Sequence, residues 1–261
     1  MQPLWGYRHF IVGAIRNEYR ARLVRSRLGG LWMLINPLAQ VAIYTLVLSA
    51  VISSRLPGGD ESPYAYAVYL MAGLLAWTLF SELVNRSLLL FVSNEGLIKK
   101  IRFPVTVLPL IAAGSALLAN LLLLLAMLAI FLLLGHPMTL HLLWLLPLTA
   151  LLMAFGLGLG LLLGVINTFV RDVGQAVAIL LQLGFWLTPI VYPITILPEL
   201  YRDWFELNPL YPFVAAYQTI LLHGAAPALE LWWRNGASAL LALLIGLFVL
   251  HRASAEMADV L

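Results

Sequence analysis

Long apolar runs separated by short polar breaks set the pattern of this chain. They cover 31–53, 64–91, 105–134, 142–169, 176–194 and 231–250. About 20 apolar residues are needed for a helix to cross roughly 30 Å of hydrocarbon; five of the runs meet that length clearly and the sixth is shorter. The runs are rich in Leu and Ala and lack the period-2 alternation of a barrel strand. Backbone groups inside lipid must pair within their own segment, so helices are the remaining solution. The pattern predicts an all-α membrane protein with six transmembrane helices. The stretch 209–222 is also apolar but has only 14 residues and follows Pro193, Pro198, Pro209 and Pro212, which suits a re-entrant or interfacial segment.

Ahead of the first run, Ile11, Ile15, Tyr19 and Leu23 recur every four residues and make one helical stripe. Arg16, Arg20, Arg22, Arg25 and Arg27 accompany it. This segment reads as an amphipathic helix on the inner membrane surface. The chain thus divides into an interface helix within 1–30 and a transmembrane domain over 31–261.

Composition strengthens the membrane reading. The chain is 62% hydrophobic and 10% charged, against about 25% charged in soluble domains. Placement of the basic residues gives an orientation. With the N-terminus inside, Arg8, Arg16, Arg20, Arg22, Arg25, Arg27, Lys99, Lys100, Arg102, Arg171 and Arg252 are cytoplasmic, and only Arg55, Arg202 and Arg234 are outside. The positive-inside rule then puts both termini in the cytoplasm. Trp32, Trp77, Trp144, Trp186, Trp232 and Trp233 mostly fall near span ends, as an interfacial belt does.

Chemistry-bearing residues are few. There is no cysteine and no Gly-Lys-Ser/Thr triplet, so thiolate chemistry and a phosphate-cradling loop are both excluded from this chain. Five histidines at loops and span ends show no metal-ligand spacing. Glu82 and Arg86 are the exceptional charges, one helical turn apart inside the second run. That spacing lets them neutralise each other without a second helix, and a charge at membrane depth is also a candidate for a gate or pathway lining. The loop 92–104 is short and basic. Asn94 and Glu95 suit the start of a short helix that carries Lys99, Lys100 and Arg102, either as a topology-setting loop or as a docking helix. Gly156, Gly160 and Gly164 form overlapping small-xxx-small steps, expected to pack within the bundle. Aromatic side chains crowd around Trp77 and Phe80 and around Phe185, Trp186 and Tyr192; such rings anchor at interfaces and also suit the faces of sugars.

The ordered motifs resemble one family. They are Arg22-Leu-Val-Arg25-Ser26-Arg27-Leu28-Gly29-Gly30-Leu31-Trp32, then Asn36-Pro37, then the segment from Asn94 through Lys99, Lys100 and Arg102 to Pro104, then Leu108-Pro109. Phe169-Val-Arg171-Asp172-Val173, Thr188-Pro189-Ile190-Val191-Tyr192-Pro193 and Asn208-Pro209-Leu210-Tyr211-Pro212 follow. This set is similar to the membrane subunit of ABC-2-type exporters of O-antigen, capsule and teichoic acid. One departure is Gln218, where such sequences often carry a basic residue.

The resemblance implies a transporter subunit of the bacterial inner membrane, not an enzyme. It implies a homodimer working with two separate ATPases that bind the ATP and Mg, so this chain holds no cofactor. The N-terminal helix would meet the ATPase, and the 92–104 loop would carry the coupling helix. Short re-entrant helices over about 195–224 would cap the pathway outside. The cargo would be a glycan on a polyprenyl-pyrophosphate lipid, O-antigen or capsule first, teichoic acid as the alternative. Glu82, Arg86, Trp77, Phe80, Phe185, Trp186 and Tyr192 are the pathway or gate candidates. An intramembrane transferase is the competing class; it would need acidic, His or Arg groups converging at one depth. Nothing points to nucleic acid as a partner.

Overall fold

A computed structural model describes residues 4–25, 31–52, 64–96 and 106–260, and every regular element among them is helical. The helices are α1 (Arg8–Arg25), α2 (Trp32–Ile52), α3 (Ala65–Ser93), α4 (Val107–Leu133), α5 (Leu145–Phe169), α6 (Asp172–Leu187), α7 (Glu199–Glu206), α8 (Tyr211–His223) and α9 (Leu229–Val260). Four stretches are long and apolar enough to cross a membrane: Ala65–Ser93, Val107–Leu133, Leu140–Phe169 and Leu229–Ser254. Two shorter apolar helices, Leu34–Leu48 and Asp172–Leu187, accompany them.

Helix α3 is the central element. Its buried face runs from Tyr66 and Tyr69 through Leu70, Leu74, Leu75 and Leu79 to Leu83 and Phe91, and it packs on α5, α8, α4 and α2. Apolar surface is equally at home in lipid, so association of such helices rests on close van der Waals packing, which small residues permit. The glycines of α5 do this on two faces. A Cβ on Gly160 would lie 2.6 Å from Ser87 Cβ, and one on Gly164 would lie 2.3 Å from the Ser87 carbonyl oxygen. On another side, a Cβ on Gly158 would lie 2.3 Å from the Ala242 carbonyl carbon, and one on Gly246 would lie 2.3 Å from the Gly158 carbonyl oxygen. The glycine steps therefore pack within the bundle, α5 against α3 and α5 against α9.

The fifth apolar run differs from the expected 176–194. Helix α6 starts at Asp172 and stops at Leu187. Thr188 is extended (φ −105°, ψ 129°) because Pro189 follows it. Residues 188–193 then form a non-helical segment whose Thr188, Ile190 and Val191 are buried. Lipid would not tolerate such backbone unsatisfied. The Tyr66 hydroxyl donates to the Val191 carbonyl (2.9 Å), and Tyr69 reaches the carbonyls of Pro189 (3.1 Å) and Tyr192 (3.0 Å). Gln218 Nε2 also donates to Pro189 (3.2 Å). Asn208 Nδ2 holds Thr188 Oγ1 at 2.8 Å.

The 209–222 stretch is the helix α8, 13 residues long and closed by Gly224 at φ +58°. Phe213, Val214, Tyr217, Ile220 and Leu221 are all buried. Too short to span, it is an inner prop of α3 rather than a surface-lying segment.

Candidate functional site

Helix α1 docks on α4. Ile15 sits over Gly114, where a Cβ would lie 2.5 Å from Ile15 Cδ1. The Tyr19 hydroxyl donates to the Ser115 carbonyl at 2.8 Å. The stripe of Ile11, Ile15 and Tyr19 is half-buried, and Arg16 and Arg20 are exposed. A notch made by one missing Cβ therefore turns the stripe toward protein. Of Arg22 and Arg25 only the backbone is described, and Arg27 lies outside the described residues.

This docking delivers a residue that the chain's periodicity does not flag. Glu18, the sole acid of α1, reaches into the bundle. Arg86 Nη1 donates to Glu18 Oε1 at 2.5 Å, and Arg86 Nε donates to Glu82 Oε1 at 2.6 Å. Ser115 Oγ donates to Glu18 Oε2 at 2.6 Å. The expectation that Glu82 and Arg86 suffice for each other is thus corrected: the guanidinium is shared between two carboxylates from two helices. The side chain of Arg86 is 15% exposed, against 30% for Glu18 and 38% for Glu82. Arg86 Nη2 is buried with no hydrogen-bond partner among the described residues. The only acid in an otherwise basic helix was the signal that could have found Glu18.

Glu82 borders an open groove of about 330 Å³ between α2, α3 and α4, lined by Trp32, Asn36, Thr78, Ser81 and Asn120 among others. Pro37 lies on its wall and lacks the N–H that would bond one turn back in α2. Asn120 is itself committed, donating to the Leu75 carbonyl at 3.0 Å.

The aromatic candidates do converge. Ring centroids step from Trp186 to Phe185 (5.5 Å), to Trp77 (5.5 Å), to Phe80 (5.8 Å), to Phe155 (5.5 Å) and to Phe213 (5.4 Å). Tyr44 of α2 lies 6.4 Å from both Phe185 and Trp186. The run begins at half-exposed Trp186 and ends in the core at Phe213. Phe80 is buried, packed between Trp77 and Phe155. Beside the run lies an apolar pocket of about 220 Å³ between α3, α5 and α6. Tyr192 stands apart, on the 188–193 segment: its hydroxyl donates to the Trp186 carbonyl and its ring meets Phe205 at 6.4 Å.

Asn94 closes α3. Its Nδ2 donates to the Leu90 carbonyl at 2.8 Å and its backbone N–H to Phe91 at 3.2 Å. These bonds serve the end of α3. Glu95 follows in helical geometry, and Lys99, Lys100 and Arg102 lie outside the described residues.

An all-helical bundle with several membrane-length helices and a docked basic N-terminal helix defines a multi-pass membrane protein. Residues 11–222 match the family model of the ABC-2 type transporter, and the chain belongs to that family. Among known proteins it is 31% identical over 233 residues to the O-antigen export system permease protein RfbA of Myxococcus xanthus, covering 88% of this chain and 86% of that one. It is 29% identical over 224 residues to the protein of the same name from Klebsiella pneumoniae, covering 84% and 83%. It is 26% identical over 211 residues to the polysialic acid transport protein KpsM of Escherichia coli, covering 79% of each.

Proposed function

We propose that this chain is the channel-forming membrane subunit of an ATP-driven exporter that moves a lipid-linked polysaccharide across the bacterial inner membrane. The observation that carries the reading is the match, over most of the chain, to permeases named for two chemically different glycans. What O-antigen and polysialic acid share is a long sugar chain, so the cargo class is the polymer rather than one sugar. The aromatic run supports it: Trp186 is exposed with half-buried Phe185 and Tyr44 beside it, and aromatic rings suit the apolar faces of pyranoses.

In this reading the exporter is a homodimer of the chain with two ATPases, which hold the ATP and Mg; the chain has no loop to cradle phosphates. Helices α2 and α6 join the four longer helices as membrane crossings, α6 completed by the protein-covered segment 188–193. Both termini and the 92–104 loop are cytoplasmic, and α7 and α8 cap the outer side. A transferase reading finds charges converging at Glu18, Glu82 and Arg86, but both carboxylates are bonded to Arg86 and Ser115 is buried.

Deleting the gene is expected to remove a surface polysaccharide and to accumulate its lipid-linked form inside the cell. Complementation with Trp186→Ala is expected to restore less surface glycan than the wild-type gene at equal protein level. Unchanged surface glycan in the deletion strain overturns the reading.

A further inference from the structure

The groups around Arg86 tie three elements together. Arg86 and Glu82 belong to α3, Ser115 to α4, and Glu18 to α1, the helix that would meet the ATPase. Glu18 is the one member whose bonds join α1 to both other helices, through Arg86 Nη1 (2.5 Å) and Ser115 Oγ (2.6 Å). Two further contacts brace the same junction: Tyr19 on the Ser115 carbonyl and Ile15 in the notch above Gly114. Arg86 is seven residues from the end of α3, about 10 Å along the axis. The junction therefore sits at the end of the helix that also carries Trp77 and Phe80.

We propose that Glu18 is a positioning residue for export: its carboxylate fastens α1 to α3 and α4, so that a displacement of α1 by the ATPase moves α4 and α3, the helix that carries Trp77 and Phe80, as one body. The proposal rests on the exporter reading above.

The chemistry suits this task better than it suits stability. Arg86 already has Glu82 on its own helix, so Glu18 is not needed to neutralise it. What Glu18 adds is direction. A charge-assisted hydrogen bond is short and roughly twice as strong as a neutral one, and it has a direction that van der Waals packing between helices lacks. Arg20 and Arg16, exposed on the same helix, remain available to the other side.

The test uses the complete exporter, this chain co-expressed with its ATPase. Glu18→Gln preserves shape and leaves the Arg86–Glu82 pair intact. Abundance and co-purification with the ATPase should hold, while glycan exported per ATP hydrolysed should fall roughly ten-fold, the equilibrium weight of losing one charge-assisted bond. A covalent link replaces the lost tether. The chain has no cysteine of its own, and Ile15 seats over Gly114, so Ile15→Cys with Gly114→Cys offers one defined disulfide, its closure on oxidation read by a gel-mobility shift. In the Glu18→Gln background that disulfide should restore export per ATP, and reduction should abolish the gain. Unchanged export in Glu18→Gln overturns the proposal. So does a loss that tracks lower abundance, a loss that the disulfide fails to restore, or arrest of the otherwise wild-type chain by the same disulfide. A wild-type chain that exports no glycan overturns the exporter reading and the inference with it.

Discussion

At the residue scale, the guanidinium of Arg86 decides which substitutions matter. Breaking a buried ion pair by removing one partner leaves an uncompensated charge and costs about 3–5 kcal/mol; partial exposure of both carboxylates puts this site at the lower end. Removing Glu82 leaves Arg86 with Glu18, so Glu82→Gln should reduce membrane abundance only slightly. Arg86→Gln leaves Glu18 and Glu82 facing each other and should be the most damaging single change. The double change Glu82→Gln, Arg86→Gln should not recover abundance, because Glu18 remains charged; adding Glu18→Gln should. Quantitative immunoblots of membranes carrying the four variants check this, and full recovery in the double variant would count against the shared guanidinium. Gln218 shows how a residue's role changes once its neighbours are known. It departs from a basic preference of similar sequences, and here its amide binds the Pro189 carbonyl beside Gly73, where a Cβ would lie 3.2 Å from Gln218 Nε2.

At the element scale, α5 is held by its glycines. A methyl group on Gly158 meets the backbone of α9 at 2.3 Å, and backbone cannot step aside. Overpacking of this kind costs about 1–3 kcal/mol or more. Gly158→Ala should therefore lower the Tm of the detergent-purified protein by several degrees. Gly236→Ala, at a position in α9 with nothing within 4 Å, should leave it unchanged or raise it slightly, since Ala is a better helix former by about 1 kcal/mol. Equal melting of the two variants would remove the case for glycine-mediated packing of α5 on α9. The 188–193 segment follows a different logic. Its prolines end α6, and three side chains from α3 and α8 then accept the task of satisfying its carbonyls. Tyr69→Phe removes the hydroxyl shared by Pro189 and Tyr192.

At the scale of the whole molecule, the basic residues argue the orientation. An impermeant thiol reagent applied to intact spheroplasts should label Met138→Cys, in the turn between α4 and α5, and spare Ser93→Cys at the end of α3. Labelling of Ser93→Cys from outside would reverse the topology. The same cysteine-free background makes both measurements clean.

Much of this was legible in the residues themselves. Apolar runs of membrane length, the bias of Arg and Lys, the small-residue steps of α5 and the absence of a phosphate loop each follow from composition or short-range spacing, and those signals survive any tertiary arrangement. Periodicity also placed α1 and its stripe. It could not say what covers that stripe, because the notch at Gly114 lies about a hundred positions away. For the same reason Glu82 and Arg86 read as a self-sufficient pair and 176–194 as an unbroken helix. Only the fold brings Glu18 to Arg86, buries Phe80 between Trp77 and Phe155, and lets Tyr66, Tyr69 and Gln218 satisfy backbone that would otherwise have to be helical. Local pattern decides which segments become helices and where they start; which charges share a proton donor, and which bends lipid will tolerate, depends on partners distant in the chain.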